Sequence, residues 1–142
     1  AVNYSIGQLK VNGRNSIDSV KIPNAKDRVY CNFNIKGAYE SVYINNGKGR
    51  YYYNCSFVKT EDRSKAEGMY NYLVLQLRNY NIKNVQLTKA ENIVQDSKSY
   101  NLKPKEVADF SLVNLNIDVK LKKEFDSDEK KELWKVEMDI KI

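Results

Sequence analysis

Between Thr60 and Tyr80 apolar residues recur at helical spacing, and no other stretch of the chain sustains that period. Taken at about 100° per residue from Ala66, the side chains of Met69, Tyr70, Leu73, Val74, Leu77 and Tyr80 share one face. Lys65, Glu67, Asn71, Arg78 and Asn79 fall outside it, and Leu75 lies half a turn away, so the pattern predicts Leu73 and Leu77 buried and Leu75 exposed. Ser64-Lys65-Ala66-Glu67 reads as a capping box at the start, and Asn81 suits a left-handed cap at the end. A single helix of this length is marginal in water, so it requires a sheet beneath its apolar face.

The flanking sequence supplies strands. Val2, Tyr4 and Ile6 alternate with polar residues, and Asn12-Gly13 suits a type I′ turn, so residues 2–11 and 14–22 read as a hairpin. Further strands are expected at 28–36, 39–45 and 48–58, with a second turn at Asn45-Asn46-Gly47. In them Val29, Cys31, Phe33 and Ile35, then Tyr51, Tyr53, Cys55 and Phe57, point inward. Ile82 to Leu87 reads as a short strand, and Thr88-Lys89-Ala90-Glu91 as a weaker capping box opening one more helical turn. Residues 95–109, with Pro104, carry no clean period and read as the least ordered part. Val113, Leu115, Ile117, Val119 and Leu121 alternate with polar residues, as do Trp134, Val136, Met138, Ile140 and Ile142. The two runs predict long antiparallel strands joined at Asp126–Lys130. The expected fold is α+β: about eight mostly antiparallel strands, curled or barrel-like as one option, with one main amphipathic helix packed on the sheet. With 142 residues, two prolines and no repeat, residues 1–142 read as a single domain.

The chain has no histidine and only two cysteines, without a C-x-x-C pair, which removes the usual ligands of zinc and haem; no metal and no cofactor are expected. Cys31 and Cys55 share inward parity and read as a disulfide, provided that their strands are neighbours or the sheet curls to bring them together. No apolar run approaches the length of a membrane span. With Ala1 at its start the chain reads as a mature protein after signal-peptide removal, periplasmic or secreted.

The net charge of +6 raises acidic partners, but the 24 cations are scattered among 18 acidic residues, as on a solvated surface. The outward face of the middle strands collects Tyr30, Asn32, Asn34, Tyr43, Tyr52 and Asn54 beside Lys48 and Arg50, residue types that give rigid contact area and adaptable hydrogen bonds. This face is the expected binding site, for a protein or a glycan, in a role such as inhibitor, immunity protein or adhesin subunit. The alternative is a basic nucleic-acid-binding domain of barrel-like character using the strand Lys48, Arg50, Tyr51 and Tyr52, of which only Tyr52 has the outward parity to stack on a base. No catalytic residues are assigned: without histidine there is no ordinary nucleophile–base pair, no glycine-rich phosphate loop occurs, and of the carboxylates Asp18, Glu40, Glu137 and Asp139, which convergence in space would have to pair, Asp139 falls on the outward side of its strand. The chain is read as a non-enzymatic binding protein.

Overall fold

The computed structural model describes residues 2–4, 11–12, 16–17, 28–30, 33–45, 51–82, 85–105 and 115–141, with side chains described at 35–42, 52–82, 85–105 and 115–141. In chain order the elements are β1 (Val2–Tyr4), β2 (Val11–Asn12), β3 (Ser16–Ile17), β4 (Arg28–Tyr30), β5 (Phe33–Ile35), β6 (Glu40–Asn45) and β7 (Tyr51–Thr60). The helix α1 (Arg63–Arg78) follows, then β8 (Leu87–Val94), β9 (Ser97–Pro104), β10 (Asn116–Asp126) and β11 (Lys131–Lys141). Strands β6, β7, β11, β10, β9 and β8 form an antiparallel sheet of six in that spatial order, and three-residue β4 adds at the β6 end. The class is α+β, as expected. Among the described residues the strand order runs from β4 to β8, and the curled or barrel-like option is not seen in it.

After β7 the chain passes through α1 to the far end of the sheet, then returns as the meander β8-β9-β10-β11, so that β11 closes against β7. The helix rests on β7, β10 and β11. Its buried residues are Ala66, Tyr70, Leu73, Val74 and Leu77, and they meet Tyr53, Cys55, Ile117, Val119, Leu121, Val136, Met138 and Ile140 in one core. Leu73 and Leu77 are fully buried while Leu75 is 57% exposed, as the helical spacing predicts. The inward alternation of Ile117 to Leu121 and of Trp134 to Ile140 also holds. At β7 a bulge interrupts it: Val136 pairs with Val58 and Glu137 with Ser56, so Phe57 is the extra residue, and both Phe57 and Ser56 are buried.

The helix is capped differently from the expectation. Asp62, two residues before Ser64, is the N-cap: its Oδ1 accepts from the Ser64 and Lys65 amides at 2.9 and 3.4 Å. A carboxylate at this position meets the positive end of the helix dipole, which a serine hydroxyl does not. At the other end the cap is Asn79 in right-handed geometry, not Asn81, and Lys89 Nζ donates to the carbonyls of Arg78 and Tyr80 at 2.7 and 2.8 Å. That lysine belongs to β8. The expected extra helical turn at Thr88–Glu91 is therefore strand, because eight consecutive pairs with β9 satisfy the backbone better than one isolated turn. Ile82 and Val85 form only an isolated bridge where a short strand was expected.

Residues 97–104 are also strand rather than the least ordered segment. Their period is sparse because only Tyr100 and Leu102 reach the core. Pro104 is tolerated because the ladder from β9 to β10 ends at Leu102↔Ile117, before the missing amide would be needed.

In the N-terminal third, Val11↔Ile17 and Asn12↔Ser16 pair antiparallel, so Asn12 belongs to the ladder rather than to the expected Asn12-Gly13 turn, whose Gly13 lies outside the described residues. Val2–Tyr4 pairs instead with β5, in parallel. The expected continuous strand 28–36 is divided, its first part joining β6 and its second part β1. A period of two records which residues alternate, not which neighbour each half takes. The second hairpin pairs Asn45 with Tyr51, and the rest of the expected turn, Asn46-Gly47, lies outside the described residues.

Candidate functional site

The eight residues expected to form the binding face are placed unequally. Asn32, Lys48 and Arg50 lie outside the described residues, and Tyr30, Asn34 and Tyr43 are described only by backbone position. Across the sheet the register aligns Tyr30, Val42 and Asn54 in one line, while Tyr43 stands opposite Tyr53. Tyr52 and Asn54 are half-buried. Lys141 Nζ lies 6.0 Å from the Tyr52 ring centroid, and Asn54 Nδ2 donates to Asp139 Oδ1 at 2.8 Å.

That hydrogen bond continues into a polar ladder over the face opposite the helix. Lys120 reaches Asp139 at 3.3 Å, Asn101 donates to Asn116 and Asp118 at 2.6 and 2.8 Å, and Lys122 bridges Glu124 and Glu137 at 3.1 and 3.7 Å. At its end Asp126, 4% exposed, accepts from the Asp128 and Glu129 amides at 2.9 and 3.0 Å and pairs with Lys59 and Lys135 at 2.8 and 3.4 Å. The Lys59 ammonium and the two amides hold the Asp126 carboxyl well below the usual carboxylate range, and the hydrogen bond to Asp126 raises Lys59 in turn. Here the charged groups satisfy one another, as on a solvated face. Among the weighed carboxylates, Asp18 lies outside the described residues, and Glu40 and Glu137 both register with Ser56 from opposite sides of β7. No group of three or more acidic, cysteine or histidine side chains suited to a metal occurs among the described residues.

The helix face presents a concave surface instead. Between α1 and the end of β7 lies an open cleft of about 470 Å³, walled by Lys65, Gly68, Met69 and Tyr72 from the helix and by Tyr39, Phe57, Val58 and Lys59 from the sheet side. Tyr39 and Tyr72 are 60% and 49% exposed. Tyr39 is positioned by a tight turn in which the Ala38 amide donates to the Ile35 carbonyl at 2.9 Å, with Gly37 at φ +99°, and its own amide donates to Ser56 at 2.8 Å. Gly68 opens the opposite wall, since a Cβ there would meet nothing within 4 Å.

None of the cleft residues was singled out from the sequence as a site. Two signals were present: a glycine within the helix, costing about 1 kcal/mol against alanine, and Tyr72, an aromatic off the apolar stripe. A second polar contact crosses the same side of the sheet, where Tyr70 donates to Glu91 Oε2 at 2.8 Å; burial, with Glu91 beside it, pushes the Tyr70 phenol up.

Cys55 is fully buried in the core and accepts from Ser41 Oγ at 3.4 Å. Cys31 lies outside the described residues, and the expected Cys31–Cys55 bridge lies outside them with it. No helix among the described residues is long and apolar enough to cross a membrane. Compared with protein families, curated proteins and solved structures, the chain finds no match in any of the three.

Proposed function

We propose that this domain is a non-enzymatic, extracytoplasmic binding protein that recognises a protein or glycan through exposed tyrosines. The observation that carries the reading is the cleft between α1 and β7, with Tyr39 and Tyr72 exposed on its two walls and Met69 and Phe57 between them. Its volume of about 470 Å³ is in the range of ligand pockets, and tyrosine supplies an apolar ring with a polar tip, suited to stacking on a sugar or anchoring a peptide side chain. The Tyr52–Asn54 face supports the reading less, because the Asn54 amide is already committed to Asp139. An extracytoplasmic location and a Cys31–Cys55 bridge belong to the same proposal.

The test compares wild-type protein with a Tyr39→Ala/Tyr72→Ala variant and with Tyr52→Ala on a glycan array and on immobilised extracellular proteins. Both cleft residues are exposed, so the double variant is expected to melt within a few degrees of wild type. A ligand held by wild type, weakened about thirtyfold or more in the double variant and little changed by moderate salt, supports the cleft. Loss in Tyr52→Ala alone returns the site to the sheet face. A protein that retains only single-stranded nucleic acid, and releases it steeply between low and moderate salt, overturns the proposal in favour of the basic nucleic-acid reading.

A further inference from the structure

The sheet ends at β8, which pairs with β9 over eight consecutive positions from Leu87↔Pro104 to Val94↔Ser97 and with no other described element. It contains no proline and no bulge, and Ile93 and Val94 are 62% and 58% exposed. Proline and bulges are two of the devices that blunt edge strands; β8 has neither, and its charged residues Lys89 and Glu91 are held by α1, at the Arg78 and Tyr80 carbonyls and at Tyr70.

The direction of its free backbone groups follows from its pairing. The Lys105 amide donates to the Gln86 carbonyl at 2.8 Å, and only two residues, Gln95 and Asp96, link the strands at the other end. In an antiparallel ladder bonded positions alternate, so residues 86, 88, 90, 92 and 94 direct their amide groups to β9. Leu87, Lys89, Glu91 and Ile93 therefore direct theirs to the open edge.

We propose that a second copy of this chain pairs with that edge, β8 against β8, antiparallel about a two-fold axis through Ala90. In this register Lys89 stands opposite the second copy's Glu91, Leu87 opposite its Ile93, Thr88 opposite its Asn92, and Ala90 opposite itself. Each outward-directed residue meets another, giving about eight backbone hydrogen bonds across the axis. Opposite charges and apolar pairs directly across a ladder stabilise it, and like charges destabilise it. Sliding the second strand by one step of two residues in either direction puts Lys89 against Lys89 or Glu91 against Glu91. Lys89 keeps its bonds to the Arg78 and Tyr80 carbonyls and Glu91 its bond from Tyr70, so their charges select the register by disfavouring the two like-charge alternatives rather than by a direct ion pair.

The helices do not obstruct this arrangement. Both would lie on the same side of a continuous sheet, but α1 rests on β7, β10 and β11. The two β10 strands would be five strand spacings apart, about 24 Å, twice a helix diameter. A single strand pair is a small interface, so the dimer is reversible and concentration-dependent.

The experiment is sedimentation equilibrium of the whole chain from about 5 to 500 µM, together with cysteine cross-linking under mild oxidation. Ala90 is exposed, and across a non-hydrogen-bonded pair the Cα atoms lie about 4.5 Å apart, which a disulfide accepts. Ala90→Cys is expected to give a cross-linked dimer at least tenfold faster than Asn92→Cys or the unmodified protein, whose residue 92 faces Thr88 rather than itself. Ile93→Pro removes an amide directed to the open edge and leaves the β9 ladder intact, so it is expected to weaken association about tenfold or more while the circular dichroism spectrum stays the same. A monomer throughout the range overturns the proposal. Equal cross-linking at residues 90 and 92 overturns it too, as does a dimer that survives Ile93→Pro.

Discussion

Leu73→Ala and Leu75→Ala remove the same three carbon groups from the same helix, two residues apart, from sites whose exposure is 0% and 57%. At Leu73 the lost transfer free energy is roughly 2.4 kcal/mol, at about 0.8 kcal/mol for each methyl or methylene. The cavity adds to this, because the site lies between Tyr70, Leu77 and the central strands, which interdigitate on every side and cannot all move inward. The expected cost is about 3–4 kcal/mol, a large fraction of a total stability of roughly 5–15 kcal/mol. For a chain of this size that lowers the melting temperature by about 10 °C. At Leu75 most of the side chain is already in water, so the cost should stay within about 0.5 kcal/mol and the melting temperature within about 2 °C. Urea titration followed by circular dichroism measures both, and an unchanged m-value confirms that the comparison is of native states. Equal losses at the two positions would refute the reading of a helix with one buried face, since they require α1 to be buried all round or Leu75 to contact another segment.

The Asp126–Lys59–Lys135 cluster predicts a pH dependence. The depressed Asp126 pKa makes its contribution whole above the unfolded carboxyl value of about 3.9, to be lost as pH falls through the lower folded value. The raised Lys59 pKa makes its share whole below about 10.4, to be lost as pH rises through the higher folded value. The difference in urea midpoint between wild type and Asp126→Asn should therefore be flat from about pH 5 to pH 9 and shrink below about pH 4; a difference that grows in acid would contradict the cluster. Gly37→Ala should cost about 1–2 kcal/mol by thermal melting, from the backbone at φ +99° alone, because the added methyl would sit at an ordinary 3.8 Å from Phe57. Tyr53→Ala, at a core position 3% exposed, should cost about 3–5 kcal/mol, whereas Tyr52→Ala should cost far less. The proposed Cys31–Cys55 bridge predicts an intact mass that rises by about 2 Da on reduction. An unchanged mass would remove it.

The parts of the fold legible in the sequence are those where one face is fully buried. Ile117 to Leu121 and Trp134 to Ile140 each place residue after residue against α1, so the alternation in the chain repeats the alternation in the core. The helix reads clearly for the same reason. Its cap did not, because Asp62 and Ser64 both precede the apolar stripe by a plausible distance, and only the Asp62 contacts to two amides decide between them. The bulge at Phe57 leaves no mark in a pattern that already alternates on both sides of it. The Tyr/Asn face was visible as composition. Sequence could not reveal that Asn54 meets Asp139, 85 residues later, and so spends the amide that made it a candidate.

The segment read least well, residues 87–104, shows why burial and legibility fail together. β8 and β9 lie beyond the strands that carry the helix, so only Tyr100 and Leu102 are pulled fully into the core and the remaining positions are free to be polar. A period of two cannot appear in residues that nothing buries. Lys89 and Glu91 look in sequence like ordinary members of a helical cap, yet each is turned toward the helix, one onto its last carbonyls and the other onto Tyr70. The weak coverage that hides this hairpin from sequence reasoning also leaves β8 with an unpaired edge among the described residues. The least legible strand is therefore the one on which association of the chain with itself is most directly tested.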